Sequence, residues 1–225
     1  MSRERETRQA STTNNVIGFL FNTVFLIIVS LFLSIVVEWL GLSFGWWEFG
    51  SEHSLDMIKR ELSYSNDNLR KEFYYTDGGG WTSNILRYYM LGMHALFYWC
   101  SQIANYVFDN PELIVVYMES GYNISVVFGL RILLVVYSIP LFVMVFLWAF
   151  VDGLTERDLR RFGAGRESST IFEASRRMLF PLLIIPFLIY LSFPTSVNPM
   201  LIIAPSAIIQ AFLYRVLFSK YKKYL

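Results

Sequence analysis

The 225-residue chain is 55% apolar and 18% aromatic but only 16% charged, with mean hydropathy +0.43, so it carries more apolar surface than one soluble core can hide. Nineteen Lys and Arg against eighteen Asp and Glu leave a net charge of +1, which argues against non-specific nucleic-acid binding and turns attention to where the basic residues cluster. One cysteine, Cys100, and two histidines far apart, His53 and His94, offer no basis for an intramolecular disulfide, a metal site or a bound cofactor.

Arg3, Arg5 and Arg8 lie in a short tail, residues 1–14, ahead of a first crossing at residues 15–40. Residues 11–37 carry no charge, a run longer than a secretory signal core and followed by no small-residue cleavage pattern, so the segment reads as a retained anchor. At about 1.5 Å per residue, roughly twenty residues cross a hydrocarbon layer of about 30 Å. Trp39, Trp46 and Trp47 look like an interfacial belt.

Residues 41–122 follow as an outer region, expected to be helical because strand alternation is sparse. Ser54 is placed to cap a helix running to Leu62, and residues 65–75 keep helix-compatible spacing until Asp77, Gly78, Gly79 and Gly80 stop it. Residues 88–108 are uncharged and of spanning length, yet include His94, Ser101, Gln102 and Asn105. Charge bias arbitrates. If this segment crossed, the arginine-rich loop that follows would lie outside, inverting the positive-inside rule. It is therefore read as an interfacial helix along the outer membrane surface or against a partner.

A second crossing is expected at residues 123–151, interrupted only by Arg131, and a third at residues 178–194, with Pro181 and Pro186. A polar turn through Asn198 leads to a fourth at residues 199–218, interrupted only by Arg215, before a tail at residues 219–225 with Lys220, Lys222 and Lys223. The fold class is thus an all-α membrane protein: four transmembrane helices, both termini cytoplasmic, and a helical extracytoplasmic region between the first two crossings.

The loop at residues 152–177 is the most distinctive stretch. Glu156 and Arg160, four apart, and Asp158 and Arg161, three apart, can pair along a helix ending at Gly163 and Gly165, and Thr170 with Glu173 forms a capping box for the next helix. Arg157, Asp158, Arg160, Arg161, Arg166 and Glu167 are the candidate partner-binding residues; the plain alternative is a basic loop held at anionic lipid headgroups. Residues 163–169 lack the lysine and spacing of a phosphate-binding loop. No helix-borne His-Glu-x-x-His, nucleophile elbow or intramembrane carboxylate pair is present, so no catalytic residue is assigned and no enzyme is expected.

Glu38 and Arg131 sit where lipid makes charge costly, about 33 Å and about 30 Å up their crossings from the cytoplasmic ends at roughly 1.5 Å per residue. Level charges of opposite sign predict an ion pair between the first two crossings, direct or through one polar group.

Asp152-Gly153-Leu154, the run from Arg157 through Gly163, and Gly165-Arg166-Glu167-Ser168 resemble the signature of the TraJ-type membrane proteins of integrating conjugative elements and conjugative plasmids. The order of anchor, outer region, crossing, arginine loop and hydrophobic hairpin is similar across most of the chain. The resemblance implies a non-enzymatic subunit of a bacterial inner-membrane DNA-transfer machine (type IV secretion), associated with the coupling ATPase or other channel subunits. It supplies no catalytic residues. Direct sequence-specific nucleic-acid binding is not expected, whereas contact with membrane lipids is, and assembly of several copies is compatible. A small oligomeric transporter or channel is the competing reading, with only Arg131, Gln210 and Asn198 as candidates to line its path.

Overall fold

The computed structural model describes residues 2–47, 52–65, 81–107, 111–162 and 169–221; within its helices the side chains of residues 2–17, 19–20, 81–83, 111, 161 and 169 are not described. The described residues form six helices: α1 (Ser2–Phe44), α2 (Glu52–Tyr64), α3 (Trp81–Val107), α4 (Pro111–Phe162), α5 (Ser169–Ser192) and α6 (Met200–Ser219). Four segments are long and apolar enough to cross a membrane: Phe21–Phe44, Glu112–Arg160, Thr170–Ser192 and Met200–Ser219. Of the helix expected at residues 65–75, residues 66–75 lie outside the described residues, as do Arg166 and Glu167.

The organising element is α4, which touches all five other helices. Its 52 residues run about 78 Å at 1.5 Å per residue, more than twice a hydrocarbon layer. The helix expected at residues 123–151 therefore starts twelve residues earlier, at Pro111, a residue suited to a helix's first turn because its missing N–H has no partner there anyway. At the other end it continues to Phe162, through the stretch read from the sequence as the start of a loop.

Every residue from Asn123 to Arg131 is buried, because this part of α4 is packed on three sides. Ile124 and Val127 meet Met57 of α2 and Ile35 of α1. Val126 and Leu130 meet Leu62 of α2 and Leu86 of α3. Phe128 meets Tyr190 and Leu191 of α5, with Ile27 and Leu31 of α1 against them.

The aromatic helix α3 does not lie apart from the bundle. It runs antiparallel beside the first half of α4, with Leu86 and Tyr89 at Gly129 and Phe97 at Gly121. Tyr89 donates its hydroxyl to the Ser125 carbonyl at 2.9 Å, and burial pushes that phenol's pKa up to about 12, so it stays a donor at neutral pH. The tryptophans after the first crossing also have internal roles. Trp39 donates Nε1 to the Tyr117 carbonyl at 2.9 Å, and Trp47 stacks on His53 with ring centroids 3.8 Å apart. Trp46 alone of the three is well exposed.

Candidate functional site

Two polar layers tie the bundle together, one at each end of the apolar half of α4. At the first, Arg131 is 1% exposed and reaches Glu61 of α2, its Nε and Nη2 each 2.9 Å from Glu61 Oε1. Its Nη1 donates to the carbonyls of Tyr190 (3.1 Å), Leu191 (3.3 Å) and Phe193 (2.7 Å), and Nη2 to that of Thr195 (2.9 Å). These carbonyls belong to the last turn of α5 and the chain just beyond it, which have no partners within the helix, so the guanidinium both caps α5 and complements its negative dipole end. Tyr190 donates its hydroxyl to Glu61 Oε2 at 3.3 Å, closing the network.

The expected Glu38–Arg131 pair gives way to two separate ones. Glu38, also 1% exposed, accepts from the Ser120 hydroxyl at 3.0 Å and lies 3.3 Å from His53 Nδ1. The physical reason is register. Counting from the ends assumed that α1 and α4 start level, whereas Ser30 of α1 is the residue beside Ser192, 2.6 Å away, in the layer that holds Arg131. Glu38 stands eight residues, about 12 Å, further along α1.

The second layer lies 21 residues along α4 from Arg131, about 31 Å at 1.5 Å per residue. Here Arg215 of α6 directs its Nε to Asp152 at 2.6 Å and to Glu156 at 3.3 Å. The two helices approach closely at Gly153, where a Cβ would lie 2.7 Å from that of Phe218 and 2.9 Å from the Arg215 carbonyl. Only a residue without a side chain permits this contact.

The remaining arginines have little internal pairing. The expected Glu156–Arg160 pair is replaced by Glu156–Arg215, because α6 brings a guanidinium closer than the next turn of α4 does. Arg157 lies 3.9 Å from Asp158, too far for a strong hydrogen bond, and its Nε is buried without a hydrogen-bond partner. Arg160, Arg176 and Arg177 have no ion pair among the described residues; Arg176 and Arg177 are exposed. The side chain of Arg161 is not described, so the Asp158–Arg161 pair lies outside what can be seen.

Two of the three residues offered for a channel path are engaged in tying helices. Arg131 is saturated as above, and the fully buried Gln210 donates to the Leu179 carbonyl of α5 at 3.2 Å. Asn198 accepts from the Met200 N–H at 3.0 Å and so starts α6.

Sequence reasoning missed Glu61 and the Asp152–Arg215 clamp. Both left a trace. Ser54, Met57, Glu61 and Leu62 share the buried face of α2, so Glu61 is an acid on an otherwise apolar stripe. Arg131 to Asp152 and Thr195 to Arg215 are intervals of 21 and 20 residues, which puts the last two charges level once the first two groups meet.

One family model, described as IncC plasmid conjugative DNA transfer protein DtrJ-like, matches residues 45–222. No curated protein and no solved structure matches the chain.

Proposed function

The chain belongs to the DtrJ-like family of IncC plasmid conjugative DNA transfer proteins, and from this premise we propose that it is a non-enzymatic inner-membrane subunit of a type IV secretion machine that docks the coupling ATPase. The kinship with TraJ-type proteins read from the Asp152 to Ser168 stretch belongs to the same proposal. One observation carries the docking surface: Arg215 takes both Asp152 and Glu156, so Arg160, the next turn along α4, has no ion pair among the described residues. A guanidinium without an ion pair among the described residues is available for a carboxylate of a partner, with a planar fork that lysine cannot copy.

The orientation is part of the proposal. The N-terminal end of α1, the C-terminal end of α4, the start of α5 and the end of α6 lie at the Asp152 end of the bundle, and all carry Arg or Lys. The positive-inside rule then favours a cytoplasmic Asp152 end and an extracytoplasmic α2 and α3. The two polar layers, about 31 Å apart along α4, match the thickness of a hydrocarbon core of about 30 Å.

The test is binding of the purified full-length protein, in mild detergent, to the coupling ATPase. Arg160→Lys with Arg161→Lys keeps the charge but removes the fork, and about a tenfold loss of affinity is expected, the equivalent of one charge-assisted hydrogen bond. Unchanged affinity would falsify the geometric role and favour simple attraction to lipid headgroups.

A further inference from the structure

Between α1, α4 and α5 the bundle leaves a cavity of about 590 Å³. Its walls are apolar, with Leu26 and Ile27 from α1, Ile139 and Phe142 from α4, and Ile184 and Phe187 from α5. It follows α4 from Ile132 to Phe146, about 21 Å at 1.5 Å per residue, and so lies between the two polar layers. Its volume falls in the range of ligand sites, roughly 300–1,000 Å³. A helix some 10 Å across and 21 Å long takes up about 1,600 Å³, more than all the atom-free space in and around the cavity, about 1450 Å³. A partner helix does not fit. A single hydrocarbon chain does.

The two ends of the cavity differ. At the Arg131 end Ser30 and Ser192 are bonded to each other at 2.6 Å, and Arg131 is committed to Glu61 and four carbonyls, so no cation is available there. Toward the other end, α5 carries the cavity face down to two arginines. Leu191, Ile184 and Arg177 follow at seven-residue steps, as do Leu183 and Arg176, and seven residues are close to two turns, returning to the same face. Arg177 is thus about 10 Å along the helix from Ile184. Both arginines are exposed and have no ion-pair or hydrogen-bond partner among the described residues; Glu173, one turn from Arg177, is exposed and does not pair with it.

We propose that this is a binding site for one anionic phospholipid, whose acyl chain fills the cavity and whose phosphate is held by Arg176 and Arg177. A basic patch at the cytoplasmic mouth of a cleft between transmembrane helices suits such a headgroup, and paired guanidinium groups match phosphate oxygens. The site rests on the membrane-spanning bundle and is independent of ATPase docking, so either idea can fail alone.

The full-length protein would be reconstituted in nanodiscs of equal phosphatidylglycerol and phosphatidylethanolamine, extracted gently, and its retained lipid read by native mass spectrometry. One retained lipid is expected, with phosphatidylglycerol in several-fold excess over the disc ratio. Arg176→Gln with Arg177→Gln should keep a lipid but return its composition to the disc ratio. Ile184→Trp and, from the opposite wall, Ile139→Trp should each abolish retention with helix content unchanged by circular dichroism. No retained lipid on the parent, retention in the disc ratio, or parent-like retention by a folded tryptophan variant overturns the proposal.

Discussion

Glu61 and Arg131 meet at 2.9 Å across seventy residues of sequence, and each is 1% exposed. A buried pair of this kind is not strong evidence for net stability, but removing one partner leaves a charge with no solvent to receive it. Glu61→Gln should therefore destabilise the protein by about 3 kcal/mol. Arg131→Gln should be worse, because four carbonyls at the end of α5 lose their donor as well. Arg131→Lys restores the charge without the fork and should recover only part of the loss. Thermal unfolding in detergent ranks the three, and an Arg131→Lys variant as stable as the parent would show that geometry is irrelevant.

At the opposite layer, steric contact outweighs charge. Arg215 and Asp152 are 46% and 35% exposed in their side chains, so their pair is worth about 0.5 kcal/mol in the manner of surface ion pairs. Gly153 touches backbone, and Gly153→Val forces α6 away at a cost of about 2 kcal/mol. Melting temperatures of Asp152→Asn and Gly153→Val should separate these effects, the valine causing the larger drop.

Much of the bundle was legible from the sequence because lipid permits few solutions: long uncharged runs such as residues 11–37 must be helical where backbone groups find no water. The arginine-rich segments were likewise visible from charge alone. What could not be read was register between distant elements. Glu38 and Arg131 looked level only if α1 and α4 began together, and nothing local to either residue records the offset that Ser30 and Ser192 fix. Glu61 was hidden for a different reason: α2 reads as a short outer helix until its buried face is seen to cover α4.

Topology is open to direct labelling. In a Cys100→Ser background, a cysteine introduced at Ala164 should resist an impermeant maleimide in cells with a permeabilised outer membrane. Native Cys100, exposed on α3, should react under the same conditions. The reverse pattern would place the arginines outside and remove the docking proposal with them.

The Tyr89 hydroxyl provides a pH test with a defined sign. Its pKa is raised by burial, so the folded state resists losing a proton that the unfolded chain gives up near pH 10. The stabilisation is complete below pH 10 and is lost as pH rises toward about 12. Tyr89→Phe should therefore fall short of the parent by a constant margin from pH 6 to 9, and the margin should shrink above about pH 10. A margin that varied between pH 6 and 9 would assign the effect to another group.

The unbroken course of α4 has a mechanical consequence. A continuous helix cannot shorten, so anything that pushes on its Phe162 end must be answered as tilt, rotation or bending. The one place within the apolar half that yields easily is Pro140, which has no N–H to offer the Val136 carbonyl. It stands about 13 Å from Arg131 and about 18 Å from Asp152, close to midway between the two layers that grip the rod. Those layers act as bearings and the proline as an elbow. A bend of about five degrees there swings Phe162, about 33 Å away, by about 3 Å relative to the Arg131 end.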